Sequence, residues 1–86
     1  MTLDTTTAFY PTPAGRLFAV MAGAGRPVIC LHGITANAYV WLPVMERLAD
    51  RFRVVAIDQR GHGRSDRPAG AAYEARDFAA DVVALI

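Results

Sequence analysis

The sequence predicts an α/β fold, with parallel strands that carry helices on both faces. Val28-Ile29-Cys30-Leu31 and Val54-Val55-Ala56-Ile57 are short apolar runs without alternation, the pattern of strands covered on both sides. Between them Trp41, Val44, Met45 and Leu48 recur at i, i+3, i+4 and i+7, which predicts an amphipathic helix. Each apolar run ends directly in a glycine-containing loop, His32-Gly33 after the first and Asp58 to Asp66 after the second.

The elements follow in order. Thr5 to Thr12 is rich in Thr and aromatics and suits a strand. Pro13-Ala14-Gly15 signals a turn, and Leu17 to Met21 reads as a second strand, so residues 5–22 form an antiparallel hairpin. Gly23 to Pro27 is a connection. Residues 27–58 read as strand, helix, strand, with a right-handed crossover expected. Glu46, Arg47 and Asp50 take the face opposite Trp41 and Met45, and Pro43 is tolerable in the first turn. Residues 58–72 form a loop with several glycines and alternating charge. A second helix begins at about residue 74, with Glu74 and Asp77 in its first turn, where they suit the helix dipole. Phe78, Val82, Leu85 and Ile86 are its expected apolar stripe. That stripe runs to Ile86 without a cap, so the fold is expected to be truncated, with its sheet continuing beyond these 86 residues.

Composition excludes several classes. Eighty-six residues, 53% hydrophobic and 20% charged, suit one small globular unit. Nine basic residues against eight acidic ones make no electrostatic case for nucleic acid. One cysteine, Cys30, excludes an internal disulfide and makes no zinc-ligand set. No apolar run approaches the roughly 18 residues of a membrane span, and the amino terminus has no basic stretch of a secretory signal, so a cytoplasmic location is expected.

The chemistry is expected in the two loops, because α/β proteins place ligands at the carboxyl ends of their strands. The text Pro27-Val28-Ile29-Cys30-Leu31-His32-Gly33, then Trp41, then Val54 to Asp66 with Asp58-Gln59-Arg60-Gly61-His62-Gly63-Arg64-Ser65-Asp66, resembles the amino-terminal third of the α/β-hydrolase family. The resemblance implies the first four strands and two helices of a larger sheet, with the fourth strand between the second and the third. It implies hydrolysis of an ester, lactone or related acyl bond on a small-molecule substrate, by nucleophilic catalysis and without a cofactor. In that family the loop after the third strand supplies one oxyanion-hole amide. Carried over, this is the backbone N–H of Ile34, set up by His32 and Gly33. Gly33 is expected to let the chain turn sharply and expose that amide.

The departures from the family limit what these residues do alone. The only serine, Ser65, lies in Gly63-Arg64-Ser65-Asp66-Arg67, which is not the Gly-x-Ser-x-Gly elbow. Ser65 is read as a loop residue bonding nearby backbone. Asp58 and His62 do not match the family's acid and base, which come later in the chain. The nucleophile, acid and base are therefore absent, and the isolated chain is expected to be inactive. Gly61-His62-Gly63 lacks the third glycine and the helix of a dinucleotide site. Cys30 and His32 share a strand face, but a mid-strand Cys reads as a small hydrophobe. His32 and His62 read as residues that order their loops. Arg60, Arg64 and Arg67 are expected to pair with Asp58 and Asp66 rather than bind phosphate. The alternative function is a non-catalytic α/β module or partner-binding piece. The outer edge of the strand at residues 28–31 carries no charge, which makes self-association a further expectation.

Overall fold

The computed structural model describes residues 3–33, 36–68 and 73–86. Strand β1 is Thr6–Thr12 and β2 is Gly15–Ala22, joined by the turn at residues 13–14. Thr12 closes the turn, donating its hydroxyl to the Gly15 carbonyl at 2.6 Å and accepting the Ala14 N–H at 3.3 Å. Strand β3 is Arg26–Leu31 and β4 is Phe52–Ile57. Between them lie a 3-10 turn, Ala38–Trp41, and helix α1, Leu42–Leu48. Helix α2, Ala75–Leu85, ends the chain.

The four strands form one sheet in the order β1-β2-β4-β3. The hairpin is antiparallel, β2 runs antiparallel to β4, and β3 runs parallel to β4 with Val28 opposite Val54 and Leu31 opposite Ile57. This is the mixed α/β sheet expected, with β4 inserted between β2 and β3. Alternate side chains divide two cores. Phe18, Val20, Cys30, Val54 and Ala56 face α1 and bury Met45 and Ala38. Leu17, Ala19, Val55 and Ile57 face the other way, where Leu85 of α2 reaches them. Coverage of both faces explains why β4 reads as an unbroken apolar run, whereas β3 carries the same pattern at the edge of the described sheet and buries only Cys30.

Two details of the helices differ from the sequence reading. Trp41 belongs to the 3-10 turn, which Asn37 caps by accepting the Tyr39 N–H at 2.9 Å, and α1 starts only at Leu42. Helix α2 opens with a capping box between Glu74 and Asp77. Its one fully buried side chain is Asp81, not a member of the apolar stripe. Phe78, Val82 and Leu85 are half-buried, while Ile86 is 89% exposed and does not join a core.

Candidate functional site

Parallel neighbours end at the same side of a sheet, so β3 and β4 deliver their following loops side by side. The sequence-predicted residues His32 and Gly33 leave β3 there. Ile34, the expected oxyanion amide, lies outside the described residues. His32 is buried, and both ring nitrogens are engaged. Its Nε2 accepts the backbone N–H of Gln59 at 2.9 Å, and its Nδ1 lies 2.7 Å from the Gly33 carbonyl oxygen. An N–H only donates and a carbonyl only accepts, so the ring is neutral with its proton on Nδ1. The Gln59 carboxamide returns to the same residue, donating to the His32 carbonyl at 2.7 Å. Gln59 was not singled out by the sequence reading. Its residue type inside a family motif was the only signal available.

Gly33 has no left-handed φ, and a Cβ built on it would meet no atom within 4 Å among the described residues. Its backbone conformation is open to other residues.

The loop after β4 is built around Asp58, which is 2% exposed. One carboxylate oxygen accepts the Ala38 N–H at 2.6 Å and the other accepts the Arg64 N–H at 2.9 Å. Gly63 makes that wrap possible. Its φ is +51°, and a Cβ there would lie 2.2 Å from an Asp58 carboxylate oxygen. Ser65 is equally occupied. Its hydroxyl donates to the Asp58 carbonyl and accepts the Phe18 N–H at 2.8 Å, across 47 residues. Both hydrogen-bonding roles of this buried hydroxyl are filled by backbone groups, so it braces the loop against β2.

The expected pairing of Arg60, Arg64 and Arg67 with Asp58 and Asp66 is not what forms. Arg60 turns inward to Asp81 of α2 through two bonds, Nε to Oδ2 at 2.8 Å and Nη2 to Oδ1 at 2.7 Å, with both side chains about 95% buried. The Asp81 hydrogen bond, ahead of the opposing effect of burial, raises the Arg60 pKa further above its ordinary value. Arg64 lies over the Phe18 ring at 5.1 Å. Asp66 crosses to β2, accepting the Arg16 N–H at 2.8 Å, with Arg16 Nε at 3.5 Å. These bonds hold the Asp66 carboxyl below its ordinary range. The cause of the difference is that Asp58 is consumed by backbone amides, leaving its arginine neighbours to find partners on other elements. Asp81 was hidden from the sequence reading because it sits in an otherwise apolar helix face.

His62 bonds through Nδ1 to the Arg60 carbonyl at 3.0 Å, and its ring lies 4.8 Å from that of His32. Burial pushes the Cys30 thiol pKa up, and with His32 engaged at both nitrogens the two do not form a nucleophilic pair. A cavity of ≈ 740 Å³ opens beside the loops, lined by Leu31, Gly33, Gln59 and His62 on one side and by Phe78 and Val82 of α2 on the other. Among the described residues no three His, Cys, Asp or Glu side chains are grouped to hold a metal ion. Among them, too, no helix is long and apolar enough to cross a membrane.

A parallel β3-α1-β4 unit with a His-Gly loop and an Asp-centred Gly-His-Gly loop at one sheet end defines an α/β fold with its two loops side by side. The α/β hydrolase fold family matches residues 26–86, and the chain belongs to that family. It is 52% identical over 64 residues to 2-(acetamidomethylene)succinate hydrolase of Mesorhizobium japonicum, covering 74% of this chain and 23% of that protein. It is 39% identical over 71 residues to soluble epoxide hydrolase of a Corynebacterium species, covering 83% of this chain and 24% of that protein. Among solved structures, the epoxide hydrolase CorEH superposes with a TM-score of 0.89 at 35% identity, over 95% of this chain and 29% of that one. The chain thus spans about a quarter of the length of the curated relatives it matches.

Proposed function

We propose that these residues form the amino-terminal segment of a hydrolase that cleaves an ester, lactone or related acyl bond of a small molecule by nucleophilic catalysis. The segment contributes the oxyanion loop, through the backbone N–H of Ile34 with His32 and Gly33 behind it, and contributes no nucleophile, acid or base. The observation that carries this reading is the His32 ring held at both nitrogens at the end of β3, beside the cavity that Leu31, Gly33, Gln59 and His62 line. An amide aimed at the developing oxyanion is worth about 10²–10³ in rate at comparable sites. The 52% identity to a protein named as a succinate-derivative hydrolase supports the hydrolytic class. The test is a chimera in which residues 26–86 replace the matching segment of the Mesorhizobium hydrolase. Retained hydrolysis of that enzyme's substrate is expected, while the 86-residue chain alone shows no turnover of p-nitrophenyl esters. A folded chimera without turnover overturns the reading.

A partner-binding reading has one observation in its favour. Strand β3 stands at the end of the sheet order, and Leu31 is 42% exposed there. An unpaired apolar edge is a template for a second strand. Sedimentation velocity over a range of concentrations decides it: a mass that stays monomeric removes self-association through β3.

A further inference from the structure

We propose that Met21 is a site of oxidation by hydroperoxides, and that Tyr10 and Arg53 hold the resulting sulfoxide so that it links β1, β2 and β4. The hydrolase reading gives these three residues no role, and the proposal does not depend on it. Met21 lies near the end of β2, opposite Thr6 of β1 and Val55 of β4. Side chains alternate along strands, so Met21 shares one face of the sheet with Tyr10 and Arg53. Two donors meet at its sulfur. The Tyr10 hydroxyl donates to Sδ at 3.1 Å. Arg53 Nη2 lies 3.5 Å from the same sulfur and 3.5 Å from the Tyr10 oxygen. Arg53 forms no ion pair among the described residues. A thioether is a weak acceptor, so a hydroxyl and a guanidinium converge on a group that uses them poorly. The sulfur is also within reach of solutes. Met21 is half-buried and lines a cavity of ≈ 250 Å³ together with Asp4, Thr6, Gly23 and Arg53. Met45 is the contrast, 0% exposed in the core beneath α1.

The chemistry needs only the peroxide. A sulfur lone pair attacks one peroxide oxygen, the S–O bond forms and the O–O bond breaks. The proton on the transferred oxygen passes to the departing one, which leaves as water from hydrogen peroxide or as an alcohol from an organic hydroperoxide. Sulfur gives up two electrons and the peroxide takes them. A sulfoxide is polar, and in an apolar core its oxygen is left unpaired at a cost. At Met21 the new oxygen is carried by the sulfur that Tyr10 and Arg53 already approach. It is a strong acceptor with one donor from β1 and a charged donor from β4, and charge-assisted bonds are the stronger kind.

Hydrogen peroxide titration of the 86-residue chain, followed by peptide mass mapping, is expected to oxidise Met21 at least about tenfold faster than Met45. The oxidised chain is expected to melt no lower than the untreated one. Met21→Leu, treated alike, reports whatever oxidation of Met1 contributes. In Tyr10→Phe and in Arg53→Leu, oxidation is expected to lower the melting midpoint by more than about 4 °C relative to the same variant untreated. Met21→Gln, which carries a permanent amide oxygen, is expected to melt at or above Met21→Leu. Met45 oxidising as fast as Met21 overturns the site. An equal effect of oxidation in the parent and in both donor variants overturns the holding role of Tyr10 and Arg53. Where those variants do not fold, Met21→Gln melting more than about 4 °C below Met21→Leu overturns it instead.

Discussion

The loops after β3 and β4 leave the same end of the sheet and are held to different degrees. Residues 58–66 are tied both to one another and to their surroundings: Asp58 gathers amides of Ala38 and Arg64 at 2.6 and 2.9 Å, Ser65 spans to β2, and Gly63 is folded tightly onto the Asp58 carboxylate. Residues 32–33 are held by Gln59 on the neighbouring loop, and among the described residues no atom lies within 4 Å of a Cβ built on Gly33, where one on Gly63 meets an oxygen. The β4 loop is a scaffold bonded to β2, the 3-10 turn and α2 as well as to itself. Residues 32–33 take their position from that scaffold.

The largest way to break the scaffold is at its anchor. Asp81→Ala would leave Arg60 buried without its carboxylate, and removal of one partner of such a pair costs about 3–5 kcal/mol. Chemical denaturation followed by circular dichroism measures this. Replacing both, Arg60→Met with Asp81→Leu, should recover most of the loss, because a buried pair replaced by apolar groups of similar volume is often neutral. A single variant costing under about 1 kcal/mol would show that α2 is held by its apolar stripe instead.

The two glycines sharpen the comparison directly. Gly63→Ala combines a left-handed φ of +51° with a Cβ 2.2 Å from a buried carboxylate oxygen, and should cost more than about 2 kcal/mol. Gly33→Ala meets neither obstacle and should stay within about 0.5 kcal/mol in the same melts. Equal costs at the two positions would erase the distinction between the two loops.

How much of this was legible in the sequence follows the same division. The apolar runs at Val28 and Val54 marked two strands, but only β4 is central and covered on both faces, while β3 stands at the edge of the described sheet with Cys30 its one buried residue. The Met45 periodicity marked α1, although Trp41 peeled off into a 3-10 turn capped by Asn37. The His32-Gly33 and Gly61-His62-Gly63 text marked where the loops lie. What it did not mark was who bonds to whom. Charge spacing suggested that the arginines pair with Asp58 and Asp66, yet Arg60 chose Asp81, 21 residues away, because Asp58 was already taken by backbone amides. Long-range partners such as Ser65 with Phe18 depend on strand order, which local periodicity does not encode.

Ser65 gives a smaller effect with a sharp chemical reading. Ser65→Ala leaves the buried Phe18 N–H and Asp58 carbonyl without the hydroxyl, at a cost of about 1–3 kcal/mol. The background rate of p-nitrophenyl ester hydrolysis should not change, since the hydroxyl is 2% exposed as part of its residue and engaged in both roles. Turnover in the parent that vanishes in Ser65→Ala would make this loop catalytic and overturn its reading as a brace.

The smallest expected effect lies where the scaffold loop meets β2 at the surface. Asp66 accepts from Arg16, and those bonds lower its pKa from the ordinary 3.8. A carboxyl that titrates lower when folded contributes stability that is present above the unfolded pKa and lost as pH falls through the folded one. The window therefore lies below 3.8, and nothing should be seen from it at neutral pH. Solvent screening at this exposed pair keeps the contribution small. Asp66→Asn retains an oxygen that can accept the Arg16 N–H, so melting near neutrality should barely move. Its acid limb should be flatter than that of the parent when thermal midpoints are compared from pH 5 downward. An unchanged acid limb would mean that Arg16 holds the loop equally well without the charge, leaving Asp58, Ser65 and the Arg60–Asp81 pair to fix its position.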